Sequence, residues 1–215
     1  MNQLFYIEKN FLELCFHKMN FPIFPLNGAI LFPNTNLPLN IFEDRYIDMV
    51  DYALSNNRLI GMVQTQANKS FFGIGCLGKI TNFTDTPDGR YQINLEGLNR
   101  FRIKKIFENK HRFISVEGED LKFNSNFKKQ TAKLNNELLS KFNNYLSVKK
   151  IDFNTSEFEN LDTLNLAKII CVISPLDYLT KQMLLEFNNS DDLCENLLSV
   201  LEIEIKNKDE SLRFN

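Results

Sequence analysis

Residues 25–46 read PLNGAILFPNTNLPLNIFEDRY. The stretch is rich in apolar side chains, is interrupted by Pro25, Pro33 and Pro38, and closes on Glu43, Asp44 and Arg45. Proline fixes φ and has no N–H to donate, so it disfavours pairing inside a sheet and suits edges, turns and crossings. The spacing predicts an extended segment running into a helix over 44–55. Tyr46, Ile47, Val50, Ala53 and Leu54 fall on one stripe of that helix, with Arg45, Asp48, Asp51 and Ser55 away from it. Asp44 caps its start or complements its dipole. An oily, proline-punctuated segment without an evident catalytic group reads as a binding wall.

The region that contains this stretch, from about residue 20 to 122, holds all eight glycines and five of the six prolines. RLIGMVQT (58–65), FFGIGCLGKITNFTD (71–85), YQINLEGLNRFRIKKIFE (91–108) and HRFISVEGED (111–120) read as strands. TPDGR (86–90) between two of them is a hairpin turn, since Gly89 supplies positive φ. Gly97 marks a bulge or bend. After residue 122 the pattern turns helical. Phe127, Leu134, Leu138, Phe142 and Tyr145 share a face, with Ser125 or Asn126 as cap. Ser156 and Glu159 have capping-box spacing and open a helix that is apolar all round at LAKIICVI (166–173). Ser174-Pro175 starts another, with Leu176, Leu179, Met183 and Phe187 on its face. Asn188-Asn189 ends it, and Ser190 caps the last helix, faced by Leu193, Leu197, Leu201 and Ile205. The organisation is a leader (1–20), a β-rich subdomain (21–122), a helical subdomain (123–206) and a polar tail (207–215). The fold class is α+β, with strands and helices segregated along the chain.

At 215 residues and 43% apolar, the chain has enough interior for a real core. Its formal charge of −2 does not favour non-specific nucleic-acid binding, which counterion release from phosphates drives. Cys15, Cys76, Cys171 and Cys194 have neither CxxC nor zinc spacing and read as buried thiols of a reducing, cytoplasmic compartment. No apolar run reaches the ~18 residues of a membrane span. In the leader, Leu4, Phe5, Phe11, Leu12, Cys15 and Phe16 fall near one helical face, interrupted by Glu8, Lys9 and Glu13, so no signal-peptide core exists.

Catalytic signals are sparse. Of two histidines, His17 lies in the leader and His111 on a predicted loop, which leaves a nucleophile–base–orienter triad few options. GIGCLG (73–78) lacks phosphate-loop spacing and a following helix, so Gly73, Gly75 and Gly78 read as strand-bend glycines. The acids Glu43-Asp44, Glu117/Glu119/Asp120 and Asp191-Asp192 do not converge by spacing into a metal or hydrolytic set. In RFRIKKI (100–106), strand alternation puts Arg100, Arg102 and Lys104 on one face and Phe101, Ile103 and Lys105 on the other. A solvated face explains the basic set, and phosphate binding is the sharper alternative.

Several motifs in order resemble one family. They are Phe24-Pro25-Leu26, Leu31-Phe32-Pro33, Leu37-Pro38-Leu39, Ile41-Phe42-Glu43, Arg45-Tyr46, Asp88-Gly89, Gly97 and Arg100-Phe101. Together they resemble the N-terminal substrate-binding domain of Lon proteases, and most closely the short standalone bacterial proteins of that type, over about residues 21–205. The resemblance implies a mixed β pseudo-barrel of PUA-like architecture with one inserted helix, followed by a helical bundle. It implies capture of substrate proteins without cutting, because no Walker A sequence is present and the chain has no room for ATPase or peptidase domains. Asp44 stands where the family often has proline. The family pattern begins at FPIFPL, which makes Met19 the preferred start over a leader that forms a short docking helix.

Two readings of the opening stretch stand side by side. In one, Leu31, Phe32, Leu37, Leu39, Ile41 and Phe42 are core, and Glu43 with Arg45 fixes the strand-to-helix junction. In the other, Phe32, Pro33, Pro38, Phe42, Glu43, Arg45 and Tyr46 form a protein-binding surface that holds unfolded chains through apolar contacts and backbone pairing at a sheet edge. The functional expectation is a non-enzymatic module for unfolded or tagged polypeptides, an adaptor in protein quality control partnered with an ATP-dependent protease. No cofactor, metal, catalytic residue or membrane is expected. The alternatives are a PUA-like RNA-binding module using Arg100, Arg102 and Lys104, and a small hydrolase using Glu43 or His111.

Overall fold

A computed structural model describes residues 18–68, 70–107, 111–124 and 131–213, without the side chains of Thr131 and of residues 208–213. The expectations for the leader, including Cys15 and His17, and for Ser125, Asn126 and Phe127 lie outside the described residues. Two compact units emerge. The first holds the described residues up to Asn27 together with Asn36–Lys122, and the second holds Gly28–Thr35 with Phe123 onward.

The first unit is one six-stranded sheet and a helix. The strands are β1 (Met19–Pro25), β2 (Asn36–Ile41), β3 (Leu59–Val63), β4 (Ile74–Asp85), β5 (Tyr91–Phe107) and β6 (Ile114–Asp120). They lie in the order β2-β5-β4-β3-β1-β6, and β5 also pairs with β6, so the pairings return to β5. The β4–β5 hairpin forms where TPDGR predicts it. Thr86 N donates to Arg90 O at 2.9 Å, Gly89 N donates to Thr86 O at 2.9 Å, and Gly89 has φ 80°. The β4–β5 register slips between Leu77, opposite Asn99, and Gly78, opposite Gly97. This is the irregularity expected at Gly97.

One expectation is corrected here. β1 is an interior strand, parallel to β3 and antiparallel to β6, yet it carries Pro22 opposite Ser115. Pro25, expected to avoid interior pairing, also lies in the ladder, opposite Val63, and beyond it Leu26 N donates to Val63 O at 3.0 Å. Phe21, Ile23, Leu59, Val63, Leu77, Phe101 and Val116 pack as a buried cluster. Helix α1 (Asp44–Leu54) buries Tyr46, Met49, Val50 and Ala53, a 3.6-period stripe in which Met49 takes a place assigned to Ile47 and Leu54. Its N-cap position is Glu43, with no side-chain cap bond, and Asp44 sits in the first turn, where a carboxylate suits the helix dipole.

The second unit contains α2 (Thr131–Lys149), a 3-10 turn (Ser156–Phe158), α3 (Thr163–Ile173), α4 (Tyr178–Glu186) and α5 (Ser190–Arg213). Leu138, Phe142, Tyr145, Leu166, Ile170, Cys171, Leu197 and Leu201 form its core. Ile30 and Phe32 belong to that core, because Gly28–Thr35 folds with the helices. A tight turn closes this segment: Thr35 N donates to Phe32 O at 3.1 Å, Thr35 Oγ1 to the same oxygen at 2.8 Å, and Asn34 has φ 64°. The expected serine caps are displaced. Asp162 accepts from Asn165 N to start α3, Asp177 accepts from Leu179 N and Thr180 N to start α4, and Asn189 accepts from Asp192 N at the head of α5. The run opened by Ser156 therefore makes one 3-10 turn and stops, and Ser174-Pro175 precedes α4 without capping it.

Candidate binding surface

The surface is built on β2. This strand pairs with β5 along its whole length, from Asn36 opposite Glu96 to Ile41 opposite Tyr91, and among the described residues with no other strand. It is therefore an edge, and Pro38 sits where an edge tolerates it. Side chains alternate as the pleat requires: Asn36, Pro38 and Asn40 are exposed, Leu37 and Leu39 half-buried, Ile41 buried. At the end of the strand Phe42 is 65% exposed, the most exposed large apolar residue among those described. A buried Ile41 followed at once by an exposed Phe42 is the strand period carried one step past the ladder.

The next four residues hold the junction. Glu43 Oε2 accepts from Arg45 Nε at 2.9 Å and lies 2.8 Å from Arg45 Nη2. The Arg45 guanidinium also stands 4.5 Å over the Tyr46 ring, within cation–π reach. Tyr46 is buried and packs on Phe24 with centroids 4.4 Å apart. Burial pushes the Tyr46 hydroxyl pKa up, Arg45 pulls it down, and Glu43 adds a smaller upward push. An exposed ion pair contributes about 0–1 kcal/mol, so the clasp sets direction more than stability. It fixes where the chain turns into α1 directly after Phe42.

The residues expected to bind polypeptide thus divide. Pro38, Phe42, Glu43, Arg45 and Tyr46 stand together on β2 and the start of α1, with Tyr46 as a buried support. Phe32, at 2% exposure, lies in the core of the helical unit and presents no rim, and Pro33 beside it is half-buried. The residue reading also missed Phe83 and Tyr91. They sit across the β4–β5 hairpin with centroids 4.9 Å apart and edge-on, and Tyr91 faces Ile41 of β2. Counting outward from the PDGR turn pairs Asp85 with Tyr91 and Phe83 with Ile93, which would have placed these two aromatics within reach of each other across the hairpin.

The competing chemistries do not assemble. Arg100 is 3% exposed, and its Nη2 donates to Lys122 O at 3.5 Å, so it does not share a solvent face with Arg102 and Lys104. The bulge next to Gly97 and the slip between Ile103 and Lys105 break strict alternation there. Lys104 is paired with Glu119 at 3.0 Å, which holds that carboxyl below its usual range. His111 is exposed on a bend, where its ring stacks on Phe113 with centroids 4.7 Å apart and lies 5.0 Å from the ring of Tyr52. Among the described residues no group of three or more His, Cys, Asp or Glu could hold a metal ion, and no helix is long and apolar enough to cross a membrane. In the helical unit a groove of about 540 Å³ between α2 and α5 is lined mainly by lysines and glutamates, with Lys141 and Glu202 3.8 Å apart.

Comparison with known proteins agrees with this geometry. The family model described as the ATP-dependent protease La (LON) substrate-binding domain matches residues 20–202. The Lon protease of Buchnera aphidicola is 28% identical over 202 residues, covering 87% of this chain and 25% of that protein. Escherichia coli Lon protease is 27% identical over 198 residues, with the same coverage of each. The chain spans about a quarter of the length of these curated relatives, in their N-terminal region. The crystal structure of a Lon N-terminal domain protein from Xanthomonas campestris superposes with a TM-score of 0.63 at 18% identity, covering 84% of this chain and 98% of that one. The N-terminal domain of Mycobacterium avium complex Lon protease gives 0.63 at 16% identity over 87% and 98%.

Proposed function

The chain belongs to the Lon substrate-binding domain family, and from that premise we propose that it captures unfolded or tagged polypeptides without cleaving them, as an adaptor in protein quality control. The matched region is the non-catalytic domain of Lon, outside its ATPase and peptidase regions. One observation carries the reading. Phe42 stands exposed at the end of a free-edged strand, with the Arg45 clasp behind it. An extended client pairs its backbone with the edge and seats an apolar side chain against Phe42. Pro38 interrupts the edge, which limits self-pairing and keeps capture short, weak and broad in sequence. The finer architecture belongs to the same proposal. Pairings that lead from β5 through β4, β3, β1 and β6 back to β5 support a PUA-like pseudo-barrel. The partner that receives clients is an ATP-dependent protease, and the setting is cytoplasmic, in keeping with the buried thiols of Cys76, Cys171 and Cys194, which form no disulfide among the described residues.

The test is affinity for a labelled model protein held unfolded, against the same protein native. Saturable binding of the unfolded form alone supports capture. Binding of neither form above background overturns it.

A further inference from the structure

Asn27-Gly28 is the one Asn-Gly pair in the sequence, and both residues are exposed. Asn27 ends the first stretch of the sheet unit, just after β1. Two donors of Thr65 converge on its side-chain oxygen: the Thr65 N–H reaches Asn27 Oδ1 at 3.2 Å, and the Thr65 hydroxyl donates to the same atom. An N–H can meet only an acceptor, so the atom facing Thr65 is the oxygen and not the amide nitrogen. Thr65 is itself held, by a bridge to Phe71 and by the bonds Leu26 N to Val63 O and Phe72 N to Gln64 O on either side. Two fixed donors aimed at one carbonyl oxygen are the arrangement that stabilises a developing oxyanion. The next main-chain nitrogen belongs to Gly28, at φ 84°, with nothing within 4 Å of where a Cβ would stand. Its N–H has no acceptor among the described residues.

We propose that Asn27 is a built deamidation site, in which Thr65 supplies the oxyanion cradle and Gly28 the nucleophile. The Gly28 nitrogen gives its proton to solvent base and bonds to Cγ of Asn27. Negative charge collects on Oδ1 between the two Thr65 donors. The Cγ–Nδ2 bond then breaks, Nδ2 takes a proton and leaves as ammonia, and a five-membered succinimide remains. Water opens the ring at either carbonyl, leaving aspartate or isoaspartate at position 27. No oxidant or cofactor takes part. The aspartate product keeps an acceptor for Thr65 and adds a negative charge. The isoaspartate product adds a carbon to the main chain immediately before Gly28–Thr35. The absence of a Cβ at Gly28 is essential, because attack by its nitrogen requires a close main-chain approach.

The test follows the intact chain during incubation at physiological temperature and mildly alkaline pH. Conversion at position 27 is read by peptide mass mapping, and isoaspartate by enzymatic methylation. Conversion at Asn27 is expected to outpace that at every other asparagine. Thr65→Val, which removes the hydroxyl and keeps the shape, slows it by roughly tenfold or more, while Thr65→Ser keeps the original rate. In strong urea, where no cradle exists, all three chains convert alike. If folded Thr65→Val converts as fast as the parent or faster, Thr65 only restrains the amide and the proposal falls. A rate difference persisting in urea overturns it as well, because the valine then acts without the fold.

Discussion

The ring of Phe21 on β1 meets the ring of Phe101 on β5 edge to face, with centroids 4.8 Å apart. Glycines make room for the pair. A Cβ at Gly118 would stand 2.5 Å from Phe21 Cζ, and one at Gly61 2.7 Å from Phe21 Cε2 and 2.9 Å from Phe101 Cζ. Both rings are buried, so neither can swing away. Gly118→Ala is expected to cost about 1–3 kcal/mol by overpacking. Gly73→Ala, with nothing within 4 Å of its Cβ position, should stay within about 0.5 kcal/mol. Urea midpoints at unchanged slope decide. Equal midpoints for the two variants would show that the ring pair is free to relax.

Phe42 and Phe32 should separate binding from folding. Phe42→Ser removes an exposed ring and should leave stability within about 0.5 kcal/mol. If Phe42 anchors clients, their affinity drops by about 1–2 kcal/mol, roughly five- to thirtyfold. Phe32→Ala empties part of the helical core and should cost about 3–5 kcal/mol. Fluorescence anisotropy with an unfolded labelled protein measures the first effect, and urea unfolding the second. Unchanged affinity in Phe42→Ser would remove this residue from the site.

What the sequence discloses depends on the range of the interaction. The PDGR hairpin, the bulge at Gly97 and the α1 stripe were legible because turn chemistry and 3.6-residue periodicity are local. The helix starts were legible only in part. Ser156, Ser174 and Ser190 compete with Asp162, Asp177 and Asn189, which cap about equally well, and the path of the chain decides between them. Arg100 and Phe101 are both buried because a bulge next to Gly97 disrupts strict alternation, and no spacing rule reveals a bulge's phase. Phe32 joins helices about a hundred residues away in sequence, an allegiance that lies outside any local pattern. On β2, the proline at position 38 pointed to an edge, whereas the exposure of Phe42 required the fold.

Tyr145 sets an alkaline limit on the helical unit. Its hydroxyl is buried, has no hydrogen-bond partner among the described residues, and is pushed from 10.0 to about 12, by burial first and by the Glu204 carboxylate second. The folded state therefore holds this proton more tightly than the unfolded chain does. The linked stability is intact below the ordinary value of 10.0 and is lost as pH rises through about 12. Tyr145→Phe should gain about 1 kcal/mol at neutral pH, since the unpaired hydroxyl is gone. It should also lose less stability than the parent across that alkaline window. Urea midpoints of both chains against pH test this, and parallel curves would refute it. Cys194, likewise raised to about 12, leaves a residual slope in both chains.

Asp177 should show the opposite sign at the acid end. Its carboxylate accepts from Leu179 N at 2.9 Å, from Thr180 N at 3.0 Å and from the Thr180 hydroxyl at the start of α4. The Thr180 hydroxyl bond is the largest cause that holds its pKa below the ordinary 3.8, followed by the Thr180 N–H. The unfolded chain therefore binds this proton more readily. The linked stability is present above 3.8 and fades as pH falls through the lower folded value. Asp177→Ala is expected to cost about 0.5–2 kcal/mol at neutral pH, the usual range for a lost cap. Asp177→Asn, which keeps an acceptor oxygen, should lose less. On acidification the gap between parent and Asp177→Ala should narrow as the parent's carboxylate protonates, because both chains then lack a charged acceptor at the helix start. Comparing their urea midpoints at neutral pH and well below 3.8 isolates this group from the other acids that titrate in both. A gap that stays constant or widens would mean that Asp177 acts through packing and not through its charged cap.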